Sequence, residues 1–312
     1  MNPLWQRLAA AALVTGDPPP AASPGPAWYV TALLGFAAWI AAVFLSIVIV
    51  VLSGAQQSIG IVGALACAGG LLLLRSQSPF LTQLGLAASI AGQVGMFFGL
   101  GSWLHNFHSA AIAMALILIV PSLLTTNAIY RVWCTAASIL LLATALDQWA
   151  PLTVSLAATI VCAVFLALPQ IPRAYGSRAY GYGAAFALLL IDAFSIFGRY
   201  QDPRPGYLSG ILAGLALVYA AHRLFGNILY AAIIAVVLIP APGVAAALVL
   251  ILIGFGRAAP VLTGLGIAAG LAYLSNYYYA LSLTLLHKSL VLMGSGLLLL
   301  ALRWTLFRKD PA

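Results

Sequence analysis

The chain has 312 residues, 64% of them hydrophobic and only 6% charged, and its mean hydropathy is +1.09. A soluble domain carries roughly 45–50% apolar and about 25% charged residues, so thirteen basic and five acidic side chains cannot cover a water-soluble surface. Soluble enzymes, disordered chains and nucleic-acid-binding domains are excluded on that ground. A membrane barrel needs strict alternation of apolar and polar positions; the apolar runs here are continuous, helix-length and rich in Leu, Ala and Gly. Helices satisfy their own backbone in lipid, so the expected fold is all-α, a polytopic transmembrane bundle.

The formal charge is +8, and the basic residues sit in short connections between apolar runs. That distribution reads as membrane topology rather than as a surface for acidic partners. The chain contains no glutamate, which removes glutamate-based metal sites, proton relays and acid/base pairs. Cys67, Cys134 and Cys162 are scattered through apolar runs without a CxxC pair, and read as small buried hydrophobes. No phosphate loop and no His-Glu-x-x-His occurs, and Gly294-Ser295-Gly296 lacks the spacing of a nucleophile elbow. No cofactor, metal or nucleic acid is therefore expected.

At the start of the chain Arg7 precedes the short run Leu8 to Val14, which Asp17, Pro18, Pro19 and Pro20 follow. A signal peptide is disfavoured by so short a run. Residues 1–27 read instead as a cytoplasmic proline-rich tail, with a short surface helix through Leu4, Trp5, Leu8 and Leu13. Residues 28–305 read as a single transmembrane helical domain, and 306–312 as a second cytoplasmic tail. A spanning helix needs about 20 mostly apolar residues. Segments of that kind fall near 29–52, 57–74, 80–101, 108–124, 129–146 and 151–169. A second set falls near 182–198, 207–222, 227–240, 242–256, 260–276 and 283–303, about twelve in all. Pro240 and Pro242 split 227–256 into two pieces too short to span comfortably, each reaching only ~21–23 Å against a ~30 Å hydrocarbon core. Two short spans and a re-entrant hairpin both fit, and both keep the parity.

Counting Lys and Arg in alternate connections puts ten of the thirteen on one side and Arg199, Arg204 and Lys288 on the other. The richer side is cytoplasmic, so both termini are expected in the cytoplasm of a bacterial inner membrane. His105, His108, Asp147 and Asp202 then lie outside. The longest internal loop, 170–181, divides the segments six and six, an arrangement known in two-repeat transporters. The halves show no persuasive similarity, and the loop at 75–79 lacks the Asp/Arg-rich signature of major-facilitator transporters.

Asp192 is the sharpest single residue, a carboxylate inside the apolar run Ala184 to Phe197. An intramembrane carboxylate faces the bundle interior with a partner; a buried ion pair or capping contact and a proton or cation site are both open. Lys288 sits early in the last segment at a similar depth, about 8 Å from the outer surface. It either snorkels outward or pairs with Asp192. Tyr277, Tyr278 and Tyr279 read as interfacial anchors or as an aromatic wall beside His287 and Lys288. Gly85, Ser89 and Gln93 recur at four-residue spacing, forming a stripe that packs across a helix interface or lines a cavity. Gly210-x-x-x-Gly214 and Gly266-x-x-x-Gly270 read as helix-packing faces. His105 and His108, flanking Asn106-Phe107, lack the third ligand a metal site needs.

The stretch Tyr277-Tyr278-Tyr279-Ala280-Leu281-Ser282-Leu283-Thr284-Leu285-Leu286-His287-Lys288-Ser289-Leu290 is followed by a Gly/Leu-rich run ending at Arg303. With Leu34-Gly35, Ala38-Trp39 and Gly92-Gln93, it resembles a bacterial multi-pass membrane family, domain-of-unknown-function family 4401, from about residue 28 onward. The resemblance implies partners, namely a second polytopic protein and a small GDYxxLxY-motif protein encoded nearby. It implies no reaction and carries over no catalytic residue. Three classes of function stay open. One is a solute permease with a buried Asp192/Lys288 site. Another is a non-catalytic subunit or scaffold of a membrane complex. The third is an integral membrane enzyme on lipid-linked substrates, using Arg199, Asp202, Arg204, His105 and His108 as an outer polar site.

Overall fold

A computed structural model of the chain describes residues 28–53, 56–146, 150–167, 174–197, 207–226, 229–280 and 293. Within them the secondary structure is helical throughout, with no strand among the described residues. The helices are α1 (Trp28–Ser53), α2 (Gln56–Leu73), α3 (Pro79–Leu104), α4 (Phe107–Ile117), α5 (Ile119–Leu124) and α6 (Ala128–Ala145). They continue with α7 (Ala150–Cys162), α8 (Arg178–Phe197), α9 (Tyr207–Phe225), α10 (Leu229–Val237), α11 (Pro242–Gly256) and α12 (Pro260–Ala280). The apolar run at 283–303 and both chain ends lie outside the described residues, apart from Met293. Four stretches are long and apolar enough to cross a bilayer: α3, α4 with α5, α6 and α9. The chain is a helical membrane protein.

Local chemistry sets the helix ends. Asn106 caps α4, its side chain accepting from the amides of His108 (2.9 Å) and Ser109 (3.4 Å). Asn127 caps α6 by accepting from the Tyr130 amide. The helix over 107–124 is interrupted at Leu118, because Pro121 has no amide to donate back to Ile117. The Ser122 hydroxyl donates to the Ile119 carbonyl at 2.6 Å inside the short piece that follows. Beyond Cys162 the last turn of α7 widens into a π-helical turn, Ala163–Ala167. At the end of α9, Gly226 adopts φ +72° and its amide donates to the His222 carbonyl, the left-handed cap that glycine makes without strain.

Two compact units divide the chain, Met1–Met96 and Phe97–Ala312, with the boundary inside α3. In the first, α2 and α3 form an antiparallel hairpin with glycine facing glycine. A Cβ on Gly92 would meet the Cys67 amide and the Gly63 carbonyl at 2.5 Å, and one on Gly85 would meet the Gly70 carbonyl at 2.7 Å. Ser89, fully buried, donates its hydroxyl to the Cys67 carbonyl at 3.4 Å.

The second unit is organised around a core contributed mainly by α7, α8, α9 and α11, including Val161, Phe165, Leu188, Leu217, Leu250 and Ile253. Small residues let these helices approach closely. Gly210 faces the Ile239 backbone and Gly214 faces Ala235, so α9 and α10 run antiparallel. Gly254 against Thr263 and Gly270 against Ala247 set α11 and α12 antiparallel too. Both GxxxG pairs read from the sequence thus sit at helix contacts. Because Ile239 reaches the level of Gly210, near the start of α9, the chain through α10 climbs along most of α9 before α11 returns to Leu224.

Candidate functional site

The helix registers bring several of the sequence-marked positions to one level of the second unit. The Tyr273 hydroxyl on α12 donates to the Leu188 carbonyl on α8 at 3.1 Å. Asp192 lies one turn beyond Leu188, and Tyr277 lies one turn beyond Tyr273 along a helix of the same direction. A Cβ on Gly243 would run into the Tyr273 ring, so the start of α11 and the break at Pro240–Pro242 belong to this layer. Across the core, Gly181 abuts Val164 and Phe165. About three turns back along α7 lie Thr153 to Ser155, and about three turns forward along α8 lies Asp192.

Hydroxyls furnish this layer. Thr153, Ser155 and Ser209 are all buried, and the Ser155 hydroxyl donates to the Ser209 carbonyl at 2.6 Å. One turn pair deeper, the Cys162 thiol donates to the Ala216 carbonyl at 3.6 Å, which keeps α7 and α9 in parallel register. The break between α10 and α11 leaves two prolines without amides. Ile239 and Ala241 compensate by donating to the Val236 and Leu238 carbonyls.

The remaining sequence-marked residues are distributed as follows. The backbones of Asp192 and Tyr277 are helical, but their side chains lie outside the described residues, as do Arg199, His287 and Lys288 altogether. An Asp192–Lys288 pair therefore falls outside what the structure describes. Gln93 is buried in the α3 portion of the first unit. His105 and His108 stand at the junction of α3 and α4. His105 takes φ +51°, the left-handed conformation that turns the chain between the two helices, and its Nδ1 lies 3.1 Å from the Trp103 carbonyl. His108 Nδ1 lies 3.0 Å from the Ala145 carbonyl, tying α4 to the end of α6. Phe107 completes this corner, edge-on to Phe97 at 5.6 Å. Among the described residues no three His, Cys, Asp or Glu gather to hold a metal, and Cys67, Cys134 and Cys162 are buried free thiols.

At the opposite end of the unit the arrangement is basic. Gly256 meets Leu224, and the α7–α8 and α7–α9 registers place Arg131, Arg178, Arg223 and Arg257 together at that end. The charge count read Arg131 only as a topology marker. The structure adds that its guanidinium ties the loop before α6 to the 3-10 turn Ala174–Ser177, donating from Nε to the Thr125 carbonyl (2.9 Å) and from Nη1 to the Gly176 carbonyl (3.0 Å). Nothing in the local sequence could announce a contact made 45 residues away.

No curated protein and no solved structure matches this chain. A family model described as a domain of unknown function, DUF4401, matches residues 27–309; the chain belongs to that family.

Proposed function

We propose that the chain is a multi-pass protein of the bacterial inner membrane, with about twelve membrane segments and both termini cytoplasmic, and that it acts as a solute permease. Its site is a proton or small-cation site at Asp192, with Lys288, Tyr277 and the hydroxyls of α7 and α9 around it. The observation that carries this reading is the shared level of Asp192, Tyr277, the buried hydroxyls and the Pro240–Pro242 break. Broken helices beside an intramembrane carboxylate are how secondary transporters build a binding site near the middle of the membrane. A carboxylate, hydroxyls and helix-end carbonyls together are oxygen donors suited to a proton or a hard cation. The gathering of Arg131, Arg178, Arg223 and Arg257 at the other end supports the orientation. The climb of the chain from Leu229 to the level of Gly210 supports two crossings over 227–256.

A permease site must be wet from at least one side. The test is labelling by a membrane-impermeant maleimide of Ser155→Cys and Tyr273→Cys, each in a background with Cys67, Cys134 and Cys162 changed to Ala. Reaction in either right-side-out or inverted vesicles is expected. If both positions stay unlabelled from both sides yet react after denaturation, the permease reading falls.

One observation favours a subunit role instead. The Ser138, Ser155 and Tyr273 hydroxyls are each spent on a carbonyl of a neighbouring helix, as expected of a dry, structural core. On that reading the second polytopic protein and the small GDYxxLxY-motif protein are its partners. Native mass spectrometry after mild extraction from cells expressing all three checks it, with a stoichiometric complex as the supporting result.

A further inference from the structure

We propose that the second unit carries a phosphate-binding notch at its basic end, between the starts of α6 and α8. A cavity of about 170 Å³ opens there, lined by Thr126, Arg131, Gly176, Arg178 and Tyr182 among others. A single water needs only about 10–15 Å³ of such space, so the notch admits a group of several heavy atoms. Arg131 and Arg178 are both among its lining residues, and no acidic residue is among the described residues that line it.

Arg131 is organised to present its charge. Its Nε and Nη1 are held by the Thr125 and Gly176 carbonyls, and its guanidinium carbon lies 5.6 Å from the centre of the Tyr180 ring. Tyr180 is itself fixed, its hydroxyl donating to the Ser122 carbonyl at 3.0 Å. Among the described residues two of the five N–H groups of this guanidinium are used, and the planar fork is locked by one contact on the loop before α6 and one on the 3-10 turn before α8. Gly176 is part of the lock, because a Cβ there would meet Nη1 at 2.5 Å. The notch also receives the first turn of α6 at Ala128, while Arg178 and Ala179 follow directly on the 3-10 turn Ala174–Ser177 that leads into α8. The start of α6 carries a partial positive charge, which adds to the arginines in attracting an oxyanion. Two arginines and a helix start beside one cavity are what recognise a phosphate group. A phospholipid headgroup at the membrane surface and free phosphate both offer that chemistry.

The test uses the full-length protein in mild detergent. Its melting temperature is compared with added phosphatidylglycerol, phosphatidylcholine or inorganic phosphate, for wild type, Arg178→Gln and Arg257→Gln. Arg178 is exposed, whereas Arg131 ties the Thr125 loop to the turn at Gly176, so Arg178 is the position varied, and a wild-type melting temperature of Arg178→Gln without lipid is the control for its fold. For wild type, phosphatidylglycerol is expected to raise the melting temperature about 2–4 °C more than phosphatidylcholine does. Arg178→Gln abolishes that difference and Arg257→Gln keeps it. A rise with inorganic phosphate that Arg178→Gln removes supports the site and identifies free phosphate as sufficient. Equal responses of all three proteins, or equal losses in both variants, overturn the proposal. This outcome is independent of maleimide access to Ser155, so the notch and the permease site can fail separately.

Discussion

Two helical hairpins, α2–α3 in the first unit and α11–α12 in the second, use glycine differently. In α2–α3 the glycines face one another, Gly63 against Gly92 and Gly70 against Gly85, and each would strike backbone, Gly70 meeting the Ser89 hydroxyl and Gly85 the Leu73 side chain as well. In α11–α12 side chains take the larger part: Gly243 receives the Tyr273 ring, Gly270 the Ala247 methyl, and Gly266 the Ile251 and Leu250 side chains beside the Ile251 amide, while Gly254 meets the Thr263 hydroxyl and backbone. The first arrangement brings two main chains together, where dispersion and weak Cα–H···O contacts act over the whole interface. The second makes holes that knobs fill. Backbone cannot move aside for an added methyl, whereas a side chain can shift, so glycines of similar appearance in sequence differ in tolerance.

The largest effect is expected at Gly92. Gly92→Val drives carbon into the Cys67 amide and the Gly63 carbonyl, and should cost about 3 kcal/mol or more, visible as loss of monodisperse protein in detergent and a collapsed melting temperature. Normal folding of even Gly92→Ala would show that the two hairpins do not differ in this way. Gly266→Ala meets Ile251 and Leu250 at 2.9 Å; a loss of about 1–2 kcal/mol is expected, and Ile251→Ala, which removes the Cγ1 in contact, should show a favourable coupling with it in a double-mutant cycle. Ser155→Ala removes the hydroxyl bonded to Ser209, worth about 0.6 kcal/mol for a polar contact within a membrane protein; thermal melts of matched preparations resolve it. The smallest change is expected at Gly270, where a Cβ would sit 3.6 Å from the Ala247 methyl, an ordinary contact. Gly270→Ala should leave the melting temperature unchanged or slightly raised, since alanine favours helix by up to about 1 kcal/mol.

The helices were legible because lipid imposes length and apolarity on each segment, and the runs near 29–52, 80–101 and 260–276 read directly as α1, α3 and α12. Pro121 was visible in the sequence but sits inside an apolar run of span length, so its break in 108–124 passed unread. The stripe at Gly85, Ser89 and Gln93 was apparent, yet its counterpart on α2, Gly63 and Gly70, was not, because glycine is frequent in any membrane helix. Asp192 and Tyr277 each stood out as residue types in unusual places. That they share a level with the Pro240–Pro242 break depends on how α8, α11 and α12 slide against one another, which is decided by tertiary packing of Tyr273 on Leu188 and Gly243. Arg131 was counted correctly as a charge and missed as an anchor for the same reason.

The nine residues of α10 have an electrical consequence. Such a helix is about 13–14 Å long, less than half the ~30 Å thickness of hydrocarbon. Wherever water reaches both of its ends, the membrane voltage drops across that shorter distance, and the local field is about twice as steep as across a full-length helix. An elementary charge traversing the whole voltage exchanges about 2.3 kcal/mol per 100 mV, and along α10 that exchange would be compressed into about two and a half helical turns.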